Sequence, residues 1–261
     1  MSVRARYFTD PACPVSWAAE PMLRTLIVEF GAEVPITYVM GGLAREFAPP
    51  HDARIREWLD IADASGMPLD PRLWHEAPLQ SSYPACMAVK AAAEQGREAE
   101  ERCLRALREG IFCFRRKLDN TEALVEEARR GGLDVARFRV DLGSHAIVEA
   151  FGADLELTRS VRPDGAVALP SLQLGEDHWV TGAAPYPEWR AAAIAAGADP
   201  AGDPAPDVPS ALSRFGRMTT AEVAAVCDLA GPRAPAELWR LASEWAVKPE
   251  RVLTGELWAR A

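Results

Sequence analysis

Thr9-Asp10-Pro11-Ala12-Cys13-Pro14-Val15-Ser16-Trp17 is the stretch that decides the fold. Upstream, Val3 to Thr9 carries Val, Tyr, Phe and Thr, the composition of a short strand. Asp10 to Pro14 is a turn, and proline is tolerated in the first turn of a helix, where its missing N–H is not needed. The turn is therefore expected to deliver the chain into a helix from Pro14 to about Phe30, kinked at Pro21 and ended by Gly31. Val34 to Met40 follows as a second strand, stopped by Gly41-Gly42. A strand–helix–strand opening implies a parallel pair with a right-handed crossover.

Beyond Met40 the pattern turns helical. Ile55, Trp58, Leu59 and Ala62 fall at i, i+3, i+4 and i+7, and Leu104, Leu107, Ile111, Phe114 and Leu118 form a second apolar stripe. Arg102, Arg105, Arg108, Arg115 and Arg116 lie largely off that stripe. Asn120-Thr121-Glu122 opens a further helix, ended by Gly131-Gly132, and two shorter helices run to about Ala153. Strand character returns from Ala166 to Leu174, interrupted by Pro170, and again from His178 to Thr181 across a Gly-Glu-Asp turn. Tyr186 to Ala196 reads as helix. The expected fold class is α/β, a thioredoxin fold with a helical insertion at about 51–153, the whole domain covering 1–196.

Residues 197–210, rich in Pro, Gly and Asp, read as a linker. A small helical module is expected at 211–261, with Thr219-x-x-Glu222 as a capping box and Leu238, Leu241, Ala242 and Trp245 on one face of a later helix.

The chemistry centres on Cys13. At a strand-to-helix junction its thiolate faces unpaired backbone N–H groups and the positive end of a helix, which lowers its expected pKa below that of a free thiol. Ser16 stands where a dithiol enzyme has its second cysteine; its hydroxyl can donate to the thiolate but cannot resolve a mixed disulfide. The site reads as monothiol. Pro170 interrupts strand-like sequence, which calls for an edge or a bend. In a thioredoxin-like arrangement it is cis against Cys13 and leaves the Leu169 backbone to pair with an extended substrate. Pro14, Trp17 and Leu169 are the expected substrate contacts. Cys86, near a helix start, is the candidate for a distant resolving thiol, while Cys103, Cys113 and Cys227 read as packing residues. The alternative for Cys13 is a small apolar residue buried in a turn.

Asp10-Pro11-Ala12-Cys13-Pro14-Val15-Ser16-Trp17 with Glu20-Pro21 resembles the active-site turn of DsbA-like, FrnE-type oxidoreductases. More closely it resembles the Spx-degradation adapter family (SpxH/YjbH), whose turn also reads Asp-Pro-x-Cys-Pro followed by Trp and Glu-Pro. The similarity continues through Trp74, Pro78, Ser81-Ser82-Tyr83, Ala88 to Ala92, Gln95-Gly96, Phe112, Leu169-Pro170-Ser171-Leu172 and the tail. Members of that adapter family bind a transcription factor and present it to the ClpXP protease. This chain lacks their His/Cys-rich N-terminal extension, so the associated zinc is not expected.

Composition narrows the partners. The net charge is −9, and the acidic excess lies in the body, since Leu212 to Ala261 holds seven Lys/Arg against six Asp/Glu. That disfavours nucleic acid, including for the tail read as a winged-helix module. Five cysteines with no C-x-x-C pair and four dispersed histidines give neither a disulfide framework nor metal-ligand spacing. No apolar run is long enough to span a bilayer, and Met1 to Asp10 does not read as a signal peptide. The expectation is a cytoplasmic protein without cofactor, membrane or nucleic-acid partner. The first expectation is a thiol-disulfide oxidoreductase-related protein whose Cys13 forms mixed disulfides with a protein or peptide thiol or disulfide or with a low-molecular-weight thiol; the alternative is an adapter that docks a protease-targeted client.

Overall fold

The computed structural model describes residues 2–162, 165–201 and 204–261. Strand β1 (Ala5–Thr9) leads through the Cys13 turn into α1 (Pro14–Ala18) and α2 (Glu20–Phe30), and β2 (Ile36–Met40) follows. The expected single helix is two. It breaks at Ala19, one residue before Glu20-Pro21, where Pro21 sits in the first turn of α2 and its absent N–H costs nothing. The helical insertion comprises α3 (Asp52–Ser65), α4 (Leu73–Glu76), α5 (Tyr83–Ala93), α6 (Arg97–Phe112), α7 (Thr121–Arg130), α8 (Val135–Leu142) and α9 (His145–Ser160). It extends past the expected end near 153, since α9, capped by Ser144, runs on through Gly152 to Ser160 and buries Thr158 in its last turns.

β3 (Ser171–Leu174) and β4 (His178–Thr181) form the expected hairpin, and α10 (Tyr186–Ala195) closes the unit. Ala166 to Leu169 is not strand. Pro170 has no N–H for the ladder, and β3 begins only after it. The sheet runs β2-β1-β3-β4, with β1 parallel to β2 and antiparallel to β3. The sheet and α2, α5, α6 and α10 enclose one core that includes Tyr7, Trp17, Leu26, Trp58, Phe112, Phe138 and Trp189.

The C-terminal segment contains α11 (Val208–Phe215), β5 (Met218–Thr219), α12 (Thr220–Val226), α13 (Arg233–Ser243), β6 (Val247–Val252) and β7 (Gly255–Arg260). Its helices accompany a three-stranded sheet, β5-β7-β6, that the sequence reading did not include. β6 carries Pro249 and exposes its four central residues, as an outer strand allows. The expected 197–210 linker ends early, since Asp207 accepts the Ser210 N–H and starts α11; residues 202 and 203 of that stretch lie outside the described residues. The capping box at Thr219 and Glu222 is present.

This segment is bound to the first unit through buried charge. Glu222, fully buried, receives Arg105 at 2.6 and 3.0 Å and pairs with Arg24 at 3.1 Å. Arg24 and Arg105 also donate to the Arg217 carbonyl, and Arg217 pairs with Glu109. Thr254 both accepts from the Leu69 N–H and donates to its carbonyl.

Candidate functional site

Cys13 is the N-cap of α1. Its Sγ accepts the Ser16 N–H at 3.4 Å, and its thiol donates to the Leu169 carbonyl at 3.7 Å. The Leu169–Pro170 bond is cis, and Pro170 is buried. Cys13, Ser16, Leu169 and Pro170, expected from separate parts of the sequence, therefore meet at one point.

The turn itself is fastened by Asp10. Its buried carboxylate accepts the N–H groups of Ala12 (2.7 Å) and Leu43 (2.6 Å) and the Ser82 hydroxyl (2.8 Å). Its backbone carbonyl accepts the Cys13 N–H. One side chain thus ties the Cys13 turn to the segment after β2 and to the start of α5. The Cys86 thiol donates to the same carboxylate at 3.2 Å. Burial raises the pKa of Asp10, and burial with the Asp10 charge pushes Cys86 well above an ordinary thiol. Cys86 is held as a protonated hydrogen-bond donor, a poor state for a resolving thiol.

Beneath Cys13 lies a buried ionic layer. Arg108 is fully buried, pairs with Glu20 and donates to the Thr9 hydroxyl. Arg108 Nε is buried without a hydrogen-bond partner. The sequence marks neither Arg108 nor Glu222 as an ion-pair partner, Glu222 being read only as part of a capping box. Arg108 lies 88 residues from Glu20 and Arg105 lies 117 from Glu222, so no local spacing marks these pairs.

The electrostatics correct the expected thiolate. The Cys13 side chain is buried, the residue being 2% exposed, and its pKa is raised from the ordinary 9.0. Burial is the largest cause; the Ser16 hydroxyl and N–H favour the thiolate but do not offset it, and the Asp10 charge adds to the rise. The helix-terminus effect is weak because α1 has only five residues. Cys103 and Cys113 are likewise buried and shifted up, and Cys227 rises to about 11, mainly through burial. All five thiols are free.

The expected substrate contacts divide. Leu169 is partly exposed and stands beside Cys13. Pro14 is buried. Trp17 is a core residue, fully buried, stacked on Phe112 with centroids 5.8 Å apart and donating from Nε1 to the Pro68 carbonyl; a side chain so placed cannot reach a substrate. A cavity of about 860 Å3 lies between α2, α6 and the end of α11, lined by Arg24, Tyr38, Arg105 and Phe215 among others but not by Cys13. Among the described residues no group of three or more His, Cys, Asp and Glu could hold a metal ion, and no helix is long and apolar enough to cross a membrane.

Comparison with known proteins agrees with this architecture. The thioredoxin family model matches residues 7–168. The ClpXP adapter protein SpxH of Halalkalibacterium halodurans is 30% identical over 96% of this chain and 86% of its own length. SpxH of Bacillus licheniformis is 29% identical over 94% and 83%. Among solved structures, a provisionally named protein disulfide isomerase of Nitrosomonas europaea superposes with a TM-score of 0.65 at 18% identity, covering 75% of this chain and 97% of that one. The cytosolic disulfide reductase DsbM of Pseudomonas aeruginosa gives 0.56 at 20%, covering 67% and 85%. At those identities the solved structures share a fold with this chain. The chain belongs to the thioredoxin family and, within it, to the family of the SpxH proteins.

Proposed function

We propose that this chain is an adapter-type protein of the cytoplasm, which docks a client protein beside Cys13 and Pro170 and delivers it to a ClpXP-type protease. The observation that carries this reading is the sealed Cys13: buried, shifted toward the thiol, bonded to the Leu169 carbonyl and without a second cysteine in the turn. Such a sulfur is a poor nucleophile, because thiolate is the attacking species. The partly exposed Leu169 and the cis-Pro170 segment remain as an edge on which extended backbone can add. The relation to SpxH over nearly the whole chain supports the same reading.

A second reading has one specific observation in its favour. A lone thiol facing a cis-proline edge, with a hydroxyl one turn away, suits mixed-disulfide formation with a protein or low-molecular-weight thiol, once the edge opens enough to admit one.

The test is degradation of an Spx-type transcription factor by purified ClpXP, with the wild-type chain and Cys13→Ala. The adapter reading expects both proteins to accelerate degradation to a similar extent. Acceleration by neither, together with disulfide-reductase activity toward insulin that disappears in Cys13→Ala, contradicts it in favour of the redox reading.

A further inference from the structure

A second place in the molecule has polar groups the fold does not use. Three of the buried side-chain atoms without hydrogen-bond partners, His51 Nδ1, Arg54 Nε and Trp74 Nε1, fall in one cluster at the start of α3. The His51 and Trp74 rings lie 5.2 Å apart, and the Arg54 guanidinium carbon sits 4.8 Å from the Phe47 ring and 5.5 Å from the Trp74 ring. Trp74 is 4% exposed and is wedged edge-on between Phe47 (5.3 Å) and Trp58 (5.5 Å), so its indole has little freedom to turn toward another acceptor.

The chemistry of these atoms is one-sided. A tryptophan Nε1 and an arginine Nε only donate; they never accept. His51 is the N-cap residue of α3, yet its side chain makes no capping bond, so its Nδ1 is not consumed locally. Among the described residues no carboxylate pairs with Arg54; its partners are aromatic faces, which hold the plane of the guanidinium and leave its N–H edge uncommitted. Two fixed donors, a histidine nitrogen and one uncompensated positive charge, framed by Phe47 and Trp58, call for an acceptor that carries a single negative charge on an apolar body. A phosphate dianion would exceed the one cation present.

We propose that His51, Arg54 and Trp74 form a binding site for a carboxylate group borne on an apolar ligand, with Arg54 pairing the charge and Trp74 Nε1 and His51 ordering its oxygens. α3 also packs against α1, the helix that Cys13 caps, so the site adjoins the docking region without sharing a residue with it. The inference stands apart from the adapter reading, because it concerns ligand chemistry at α3 and holds whether or not Cys13 reacts.

The carboxylate has two sources, the C-terminus of a polypeptide or a free organic acid. Both are tested on the full-length 15N-labelled protein, whose Trp74 indole N–H resonance is assigned by its loss in Trp74→Phe. N-acetylphenylalanine, phenylacetate and N-acetylphenylalaninamide are titrated separately. The expected result is a saturable shift of that resonance with N-acetylphenylalanine, none with the amide, and about tenfold weaker binding in Arg54→Gln. A matching response to phenylacetate identifies free acids as sufficient; a response to N-acetylphenylalanine alone identifies a polypeptide terminus. Arg54→Lys, which keeps the charge but not the planar fork, is expected to fall between wild type and Arg54→Gln, and thermal melts confirm that each variant is folded. An equal response to the amide, or a Trp74 resonance unmoved by either acid in folded wild-type protein, overturns the proposal.

Discussion

Glu222 and Arg105 stand 117 residues apart in sequence and meet through two hydrogen bonds of 2.6 and 3.0 Å, with the carboxylate fully buried. Glu222 also caps α12 by accepting the Thr219 N–H, so one side chain both starts a helix and fastens the C-terminal segment to α6. The segment is thereby part of the same packed body as the Cys13 site. Arg24, Glu20 and Arg108 carry the ionic layer from Glu222 to the floor beneath Cys13.

Replacing Glu222 by Gln should therefore destabilise the protein markedly. Breaking one partner of a buried pair leaves the other charge uncompensated, a loss of about 3–5 kcal/mol, and urea unfolding measures it. The pH dependence has a definite sign. Burial alone would raise the Glu222 pKa, but Arg105 and Arg24 outweigh it and hold the carboxyl below its ordinary 4.5. Its contribution is thus complete above pH 4.5 and is lost as pH falls through the lower, folded value. Wild-type stability should drop over that acid range, and the drop should be shallower in Glu222→Gln.

Cys86 should not pair with Cys13. Its thiol is spent on Asp10, and burial with the Asp10 charge holds it well above an ordinary thiol. Treatment of the native protein with diamide followed by peptide mapping should yield no Cys13–Cys86 disulfide. Appearance of that bond as a major product would restore Cys86 as a resolving thiol.

Gly42→Ala should loosen the site from outside. Gly42 has φ +64°, and a Cβ there would meet Leu155 Cδ2 at 2.5 Å and Tyr83 Cε1 at 3.0 Å. A left-handed alanine with such contacts costs about 1–3 kcal/mol. The next residue, Leu43, gives its N–H to Asp10, so the strain acts on the group that fastens the Cys13 turn. A lower melting temperature with faster alkylation of Cys13 is expected; unchanged alkylation would separate the two segments.

How far the sequence could be read follows from range. The strand–turn–helix around Cys13 and the bend at Pro170 are written in adjacent residues, and both were legible. The strand β6 was not: Val247 to Val252 reads Val-Lys-Pro-Glu-Arg-Val, with no period-two alternation, because an outer strand exposes its centre. β5 is two residues long and leaves no pattern. The ion pairs of Arg105 and Arg108 left no mark in the pattern because their counter-ions come from distant segments. The thiol shift was misread for a related reason: the turn reveals the helix terminus, but only the tertiary structure reveals the burial that outweighs it.

Cys13 is a sealed thiol, buried and shifted toward its protonated form. Its rate of carbamidomethylation by iodoacetamide, followed by mass spectrometry of the Cys13 peptide as a function of pH, tests this directly. Slow labelling is expected, with its half-maximal rate above the ordinary thiol value of 9.0. Rapid labelling with a midpoint near or below neutral pH would contradict it and mark Cys13 as an exposed, reactive thiolate.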